Sequence, residues 1–384
     1  MSRPNTVESP HSPDTTARRV AFFPYADVFI GNEQPFVDIF RSVGSRGAFI
    51  LQEDLARFEI NLAQFLGAKH ALGVGNATDG LLIALRAAGL SPGDEVIICS
   101  HTMVATAAAV HFAGGIPVPV ECGPDHLMDP EAAAAAVTPR TRFLMPTQLN
   151  GRTSDMDRLQ AIADRHGLLI VEDAAQALGS KFKGRAAGTF GIASAISFYP
   201  AKVLGCFGDG GAVVTNDDAV REKLSQLHDH GRDSTGAIVS WGLNSRLDNL
   251  HAAILDFQLT RYAGVMERRR RIAAMYTERL ADVPEVTLPP APDSDPDHFD
   301  IFQNYEIEAD RRDGLKQVLK DSGIGTLIQW GGQAIHHLKS LGFTQTLPYT
   351  DRLFARMLML PMNMSLSDDD VHYICDHVRR FYGR

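Results

Sequence analysis

The sequence predicts an α/β protein with a mostly parallel sheet flanked by helices and a smaller α/β domain at the C-terminal end. Short, continuous apolar runs recur along the first part of the chain, as expected of strands buried on both faces. Segments with helical spacing of apolar residues separate most of these runs. A stretch rich in Pro and Asp then interrupts the pattern before strands and helices resume, which indicates a second unit.

The larger unit begins with a helix, because apolar residues recur at helical spacing from about Gln52 to Leu66. His70–Gly75 predicts a short strand that runs into a turn, and the Ala- and Leu-rich stretch Thr78–Leu90 predicts the next helix. Further helices are predicted over Ala105–Ala113 and Met156–His166. The other predicted strands are 95–99, 116–120, 142–146, 168–171, 193–199 and 212–215.

One long helix over about 248–280 is expected to link the two units. Its basic run, Arg268–Arg271, would spread over all faces of a helix, so a solvated surface with salt bridges is expected. Val283–Pro296 predicts a loop. The elements expected in the smaller unit are 304–307, 314–322, 325–330 and 368–382. We therefore expect a disordered tail over 1–19, a large domain over 20–262 and a small domain over 263–384.

Composition excludes several classes of protein. The chain has 384 residues, a formal net charge of −9 and a pI near 5.9, which argues against nucleic acid as a partner. No apolar run approaches the length needed to cross a bilayer, and the N-terminal segment lacks the apolar core of a signal peptide. The four cysteines are scattered, which fits reduced thiols in a cytoplasmic protein and no metal site.

Two residues that follow predicted strands point to a cofactor. Asp173 ends the apolar run Leu168–Val171 with Glu172, and Lys202 follows the strand that ends near Tyr199. Pyridoxal phosphate (PLP) requires a lysine amine to hold its aldehyde as a Schiff base and a carboxylate to keep its ring nitrogen protonated. Either residue alone would more often be a surface group, whereas the two together predict PLP chemistry.

Several motifs around these residues resemble the DegT/DnrJ/StrS family of sugar aminotransferases, which are fold-type I PLP enzymes. The resemblance runs from roughly Phe49 to the C-terminus. The matching segments are Glu172 to Gln176, Ser197 to Lys202, Gly208 to Ala212, Asn76 to Asp79, Asn150-Gly151, His230-Gly231 and Asn244 to Arg246. The resemblance implies a PLP-dependent aminotransferase with the fold-type I architecture.

The resemblance also implies roles for individual residues. Lys202 is the expected catalytic lysine, Asp173 the partner of the ring nitrogen, and Gln176 the donor to the phenolic oxygen. Phosphate ligands are expected at Ala77 and Thr78, before a predicted helix, where backbone N–H groups favour anions. Ser197 should add a hydroxyl to that site.

Asn244 resembles a residue that reaches the phosphate of the partner subunit, which predicts a homodimer with a shared active site. An asparagine just before a long helix could equally be a plain cap.

Other candidate residues depart from the family pattern. Met103 stands where relatives place an aromatic ring over the pyridine, and a thioether covers a ring more loosely. Phe49, Trp330 and His336 are candidate substrate contacts, although Trp330 and His336 are as readily explained as a buried Trp and a surface His. The adjacent His336-His337 is a poor metal pair, because neighbours on regular elements point apart.

The expected function is amination of a nucleotide-linked 3- or 4-keto-deoxysugar, with glutamate as donor and pyridoxamine phosphate as the intermediate form of the cofactor. A PLP- or pyridoxamine phosphate-dependent sugar dehydratase and an aminocyclitol-type aminotransferase are the alternatives within the family. Dehydratases of this family carry His where Lys202 stands, so Lys202 favours aminotransfer. A catalytically silent regulator with the same fold is the alternative of a different class.

Overall fold

A computed structural model describes residues 18–384. The helices are α1 Tyr25–Ile30, α2 Glu33–Arg46, α3 Glu53–Leu66, α4 Ala77–Ala87, α5 Val104–Ala113, α6 Pro130–Ala135, α7 Met156–His166, α8 Asp218–His228, α9 Asn249–Leu259, α10 Tyr262–Leu280, α11 Arg312–Asp321, α12 Pro348–Arg356 and α13 Asp368–Phe381. The strands are β1 His70–Val74, β2 Glu95–Cys99, β3 Ile116–Val120, β4 Thr141–Met145, β5 Leu169–Asp173, β6 Lys181–Phe182, β7 Arg185–Ala186, β8 Ala193–Ser197, β9 Gly211–Thr215, β10 Val286–Thr287, β11 His298–Phe299, β12 Tyr305–Ala309 and β13 Met357–Leu360.

The central sheet has seven strands in the order β1-β9-β8-β5-β4-β2-β3. Strands β3, β2, β4, β5 and β8 pair in parallel, whereas β9 runs antiparallel to both β8 and β1. The predicted α/β fold with a mostly parallel sheet is confirmed. Because β2, β4, β5 and β8 are parallel, the segments that follow them lie along one edge of the sheet, which is where ligands bind in such folds.

Helices cover both faces of this sheet, and successive strand residues alternate between the two faces. On one face, Ala195 of β8 and Val213 of β9 pack with α4, α5 and α8. On the other face, Ile196 and Ala212 pack with α3 and α9, and Ile170 of β5 packs with α7. Burial of both faces is the physical reason that the strands appear as continuous apolar runs in the sequence.

A second sheet, β10-β12-β13, is antiparallel and carries its own core. Ile307 and Leu358 from this sheet pack against α10, α11 and α13. The predicted element 325–330 is only an isolated bridge, Leu327 with Met359, followed by a 3-10 turn. The domain limits expected from the sequence stay a prediction.

The long helix expected over 248–280 is two helices. Helix α9 ends at Leu259 and α10 begins at Tyr262. Between them the Arg261 N–H bonds the carbonyl of Gln258, and the Thr260 hydroxyl donates to the carbonyl of Phe257. A threonine hydroxyl that bonds the preceding turn competes with the regular helical ladder, which explains a break that apolar spacing does not reveal.

The basic run on α10 is only partly a salt-bridged surface. Arg268 and Arg271 pair with Asp368, at 2.5 and 2.6 Å, and Arg270 pairs with Asp293. Arg269 is instead buried, and its Nη1 donates to the carbonyl of Met362 at 2.7 Å.

The predicted tail falls mostly outside the described residues. Of its positions only Arg18 and Arg19 are described, and Arg18 is tied to α13 by an ion pair with Asp370 at 2.6 Å. Among residues 18–384, none of the helices combines the length and apolar character that crossing a bilayer requires.

Candidate active site

Asp173 lies at the carboxyl end of β5, in the middle of the central sheet, and is 4% exposed. Its Oδ2 accepts a hydrogen bond from the Thr106 hydroxyl at 2.7 Å, and its Oδ1 accepts one from the Ala175 N–H at 3.2 Å. Burial raises the pKa of the Asp173 carboxyl, while these donors and the charge of Lys202 oppose the rise. The carboxylate is therefore held in one orientation by donors from two separate segments.

The Thr106 hydroxyl belongs to a chain of three buried hydroxyls. Thr102 Oγ1 lies 2.8 Å from Thr106 Oγ1 and 2.8 Å from Thr147 Oγ1. Each hydroxyl has one proton, and Thr106 gives its proton to the carboxylate. Thr102 must then donate to Thr106, and Thr147 to Thr102. All three dipoles thus point toward Asp173 and favour its negative charge.

Glu172 is adjacent to Asp173 but serves a different purpose. It is completely buried, accepts from Gln148 Nε2 at 2.8 Å, and also accepts the N–H groups of Gly188, Phe190 and Gly191. Successive residues of a strand point to opposite faces, so Glu172 fixes the loop that precedes β8 and Asp173 faces the other way. Of the two carboxylates, only Asp173 is free to meet a ligand.

Lys202 lies in the loop between β8 and β9. Its N–H donates to the Tyr199 carbonyl at 2.8 Å, and the loop is closed by the Phe198 N–H bonded to the Gly210 carbonyl at 2.8 Å. At Gly205 a Cβ would lie 2.8 Å from the Tyr199 carbonyl oxygen, so the turn demands glycine. Burial lowers the pKa of the Lys202 amine to about 8, although the nearby charge of Asp173 raises it.

The N-terminus of α4 lies at the same edge of the sheet. Asn76 caps this helix by accepting the Asp79 N–H at 2.9 Å, so Ala77 and Thr78 occupy its first turn. A Cβ at Gly211 would lie 2.8 Å from the Ala77 nitrogen, which shows how closely β9 approaches the turn. Ser197 ends β8 beside this turn, pairing with Gly211. Free helical N–H groups and a hydroxyl thus suit a phosphate.

Gln176 follows Asp173 on the loop after β5, and its side chain meets two asparagines. Its Oε1 accepts from the Asn150 N–H at 3.0 Å and from Asn304 Nδ2 at 3.1 Å. Met103 immediately precedes α5, whose first turn supplies Thr106, and its side chain is 52% exposed. Met103 and Gln176 thus lie on the two segments whose Thr106 and Ala175 donate to Asp173.

Asn244 is exposed, and its backbone forms an isolated antiparallel β-bridge with that of Asp229. It does not cap the following helix, because Asp248 is the residue before α9. The neighbouring Trp241 is 96% exposed. The capping interpretation is therefore wrong, and the Asn244 side chain has no hydrogen-bond partner within residues 18–384.

Of the three candidate substrate residues, Trp330 and His336 both contact the segment after β2, whereas Phe49 lies at the start of α9. Phe49 is 56% exposed, and its carbonyl accepts the Asn249 N–H at the start of α9. Trp330 has a left-handed backbone, with φ of 49°, and its ring packs edge-on against His101 at 5.1 Å. His336 is buried rather than on the surface, with Nδ1 2.7 Å from Ser100 Oγ and Nε2 2.9 Å from Asp351.

His336 and His337 do converge, contrary to the expectation that neighbours point apart, because they lie in a 3-10 turn. Both Nε2 atoms meet Asp351 Oδ1, at 2.9 and 2.6 Å. The Nδ1 of His337 accepts the Ala334 N–H, so its proton is on Nε2 and is donated to Asp351. Hydrogen bonds thus hold the two rings on one carboxylate oxygen.

A cavity of about 610 Å³ borders the Lys202 loop. Phe23, Phe36, Arg261 and Asn363 are among its lining residues. Lys202 itself lines the cavity, whereas Thr78, Asp173 and Gln176 do not, so of these four residues only the lysine borders this space.

Sequence reasoning missed Thr102, Thr106, Thr147 and Gln303. Gln303 Oε1 accepts the Val203 N–H at 2.9 Å, and its Nε2 donates to the Ala201 carbonyl at 3.1 Å, so it grips both sides of Lys202. No local motif marks these residues, because each acts across a distance along the chain. Only the position of Thr102 and Thr106 after a buried strand was a signal.

The residues present fit PLP. A buried carboxylate with oriented donors, a buried amine with a lowered pKa, and a helix N-terminus with a nearby hydroxyl meet the needs of the ring nitrogen, the aldehyde and the phosphate. Fold and site together define a fold-type I PLP-dependent enzyme. The chain belongs to the DegT/DnrJ/EryC1/StrS aminotransferase family, whose sequence pattern it matches over residues 33–379.

Similar proteins of known name are also sugar aminotransferases. The dTDP-3-amino-3,4,6-trideoxy-alpha-D-glucose transaminase of Streptomyces venezuelae is 40% identical over 345 residues, which cover 88% of this chain and 89% of the relative. The UDP-2-acetamido-2-deoxy-3-oxo-D-glucuronate aminotransferase of Pseudomonas aeruginosa is 35% identical over 330 residues, covering 86% and 91%.

A solved structure agrees as well. DesV of S. venezuelae, in complex with a ketimine intermediate, superposes with a TM-score of 0.92 at 38% identity, covering 96% of this chain and all of DesV. The chain is a PLP-dependent aminotransferase.

Proposed function

We propose that this enzyme aminates the C3 ketone of a nucleotide-linked deoxysugar, with glutamate as the amino donor. The observation that carries the proposal is the pairing of buried Asp173, oriented by Thr106, with buried Lys202. The sequence left C3 and C4 open. Both curated relatives described above are named for a 3-amino or 3-oxo sugar, which favours C3 for this chain.

The bound cofactor supplies an electron-withdrawing ring that stabilises negative charge at the carbon bearing the amine. Asp173 would accept a hydrogen bond from the protonated ring nitrogen and pair with its positive charge, and the hydroxyl chain favours the anionic form of this carboxylate. Lys202 moves a proton to and from that carbon, for which a pKa near the working pH is favourable. Ala77, Thr78 and Ser197 hold the phosphate.

Met103 covers one face of the ring in this proposal, and Gln176 donates to its phenolic oxygen. The dehydratase alternative is disfavoured, because a lysine stands at position 202 and all four cysteines are buried and scattered. Phe49 and Trp330 stay candidates for substrate contacts. His336 is a weaker candidate, because a substrate would have to replace Ser100 or Asp351 as its partner.

We further propose a homodimer in which Asn244 of each subunit completes the phosphate site of the other. Asn244 is exposed, its side chain has no hydrogen-bond partner among residues 18–384, and it lies next to exposed Ile238, Val239 and Trp241, which supports a second copy as the occupant of this surface. Exposed apolar residues that lie together often mark a surface that binds another protein. The cytoplasmic location expected from the sequence stays a prediction that cell fractionation would test.

The decisive experiment supplies purified enzyme with PLP, glutamate and a panel of nucleotide-linked 3-keto and 4-keto sugars. Formation of 2-oxoglutarate together with a 3-amino sugar, identified by mass and NMR, is the expected result. Amination only at C4 would overturn the choice of carbon. Loss of water from the sugar without nitrogen transfer would instead establish a dehydratase.

A further inference from the structure

The amide of Gln176 has one possible orientation. Its acceptor atom receives the N–H of Asn150 at 3.0 Å, and a backbone N–H can only donate. The atom that faces Asn150 is therefore the oxygen, Oε1. Within residues 18–384, both hydrogen bonds of the Gln176 side chain are to Oε1, and its Nε2 group has no acceptor. The free part of this half-buried side chain is thus a hydrogen-bond donor, and a ligand that meets it must offer an acceptor.

A second donor reaches the same oxygen from the small sheet. Asn304, the residue before β12, donates from Nδ2 to Gln176 Oε1 at 3.1 Å and to Asn150 Oδ1 at 2.8 Å. Asn150 is itself oriented, because its Nδ2 donates to a carboxylate oxygen of Glu306 at 3.2 Å. Its Oδ1 must therefore face Asn304, and Asn304 must present its NH2 group. The buried carboxylate of Glu306 thus fixes the amide of Asn150, Asn150 fixes that of Asn304, and Asn304 bonds Gln176.

Gln303, the residue before Asn304, holds the part of the site that contains Lys202. Gln303 bonds the backbone at Ala201 and Val203, on both sides of Lys202. Phe302, just before it, has a left-handed backbone with φ of 51°, so the segment 302–304 turns sharply before it enters β12. Gln303 and Asn304, the two residues before β12, therefore bond the backbone on both sides of Lys202 and the side chain of Gln176, respectively.

We infer that Asn304 is a positioning residue: it holds the Gln176 amide so that Nε2 donates to the phenolic oxygen of the cofactor. The inference rests on the proposed placement of Gln176 beside that oxygen. Through Asn304, the small sheet determines how firmly this oxygen is hydrogen-bonded.

A donor on the phenolic oxygen stabilises its negative charge and weakens its hold on a neighbouring proton. Removing the donor therefore raises the pH midpoint at which the visible absorbance of the bound cofactor changes. Gln176→Leu should raise this midpoint by about one unit, the effect of one hydrogen bond to a charged group. Asn304→Leu should raise it by about half as much, since Asn150 still holds the amide.

The test measures this midpoint in cofactor-loaded protein for wild type, Gln176→Leu, Asn304→Leu and the double variant. If Asn304 acts through Gln176, its substitution shifts the midpoint only where Gln176 is present. Asn61→Leu is the matched control. Asn61 is another half-buried asparagine, bonded to Asp256 at 2.6 Å between α3 and α9, and its loss should leave the midpoint unchanged.

An equal shift in the Gln176→Leu background, or no shift in either background, would overturn the inference. If Asn304→Leu does not fold, Asn304→Ala gives the same comparison. The titration requires no sugar and no amino donor. Failure of keto-sugar amination would therefore leave its result intact, and an unshifted midpoint would leave the proposed reaction intact.

Discussion

The hydroxyl of Thr106 donates to Oδ2 of Asp173 over 2.7 Å, and two further buried hydroxyls support it. A family motif points to Asp173, but the group that controls its charge comes from a helix that lies far from it in sequence. The pKa of the Asp173 carboxyl therefore depends on residues from several segments that meet at the sheet edge, where β2, β4 and β5 end together.

Thr106→Val removes the donor and keeps the shape of the side chain. We expect kcat to fall about tenfold to a hundredfold, because a hydrogen bond to a charged group contributes about 1.5–3 kcal/mol. Thr106→Ser retains a hydroxyl and should keep most of the activity. Steady-state kinetics with glutamate as the varied substrate checks both variants. Equal losses in Val and Ser would indicate a packing effect instead.

Asp173→Asn should damage catalysis more than folding. A neutral amide cannot keep the ring nitrogen protonated, so we expect kcat to fall at least about a hundredfold, as for other essential acid–base groups. The thermal midpoint should change little, because the amide can still accept from Thr106. Glu172→Gln is the contrasting variant, since Glu172 binds three backbone N–H groups and its change should lower the thermal midpoint. If Asp173→Asn keeps near wild-type turnover, another acid serves the ring.

The fold was largely predictable, because buried parallel strands leave continuous apolar runs and the six strand segments predicted after β1 all became strands of the central sheet. The break between α9 and α10 was not predictable, since it depends on which way the Thr260 hydroxyl turns. Arg269 was misjudged for a similar reason. A run of four arginines carries no sign that one of them meets only backbone carbonyls inside the protein.

Within the site, the sequence identified residues that form local motifs and missed those that meet across the fold. Lys202 and Asp173 follow strands that are neighbours in the sheet, so their proximity was predictable. Thr147 contributes one hydrogen bond to a distant segment and Gln303 contributes two, which only the folded chain reveals. His336 was expected at a surface or substrate, yet Ser100 and Asp351 bind both of its nitrogens.

Attachment of the cofactor to the apoenzyme should depend on pH through Lys202. Burial lowers the pKa of this amine to about 8, so the neutral, nucleophilic form grows as the pH rises through that value. We expect the rate of attachment to level off above about pH 9, whereas an exposed lysine would continue to gain up to its ordinary pKa near 10.5. Borohydride trapping followed by peptide mapping measures the rate. Lys202→Ala should trap no cofactor, and trapping at another lysine would contradict the assignment.

Stability at alkaline pH should depend on His126. Burial alone would lower its pKa, but the carboxylates of Glu306 and Glu308 outweigh burial and raise it to about 9. The charged ring therefore contributes stability that is complete below the ordinary pKa of about 6.5 and is lost as the pH rises through about 9. His126→Asn suits the left-handed backbone at this position, where φ is 66°.

Urea unfolding of wild type and His126→Asn at about pH 6 and about pH 10 measures this contribution. The difference in unfolding free energy between the two proteins should shrink by about 3 kcal/mol at the higher pH. Arg356 stays paired with Glu308 at 3.1 Å in both proteins and should contribute equally. A difference that does not change with pH would mean that the ring is uncharged in the folded protein.

A shared active site predicts complementation between two defective subunits. Lys202→Ala removes the catalytic amine, and Asn244→Ala weakens the phosphate site of the partner. In a mixed dimer, the Asn244→Ala subunit keeps its own Lys202 and receives an intact Asn244 from the other subunit, so one complete site forms. Mixing should therefore raise activity above the average of the two parent homodimers, with random exchange placing about half of the subunits in mixed dimers.

The control for this experiment is Lys202→Ala mixed with Gln160→Ala. Gln160 is an exposed residue of α7 bonded to Asp164, so its variant should have wild-type activity and gain nothing on mixing. Subunit exchange is verified by mass spectrometry of differently labelled subunits. Because Trp241 is almost fully exposed in the single chain, its fluorescence should shift to shorter wavelength as the dimer forms. Exchange without a gain in activity, or an active species that sediments as a monomer, would show that each subunit completes its own site.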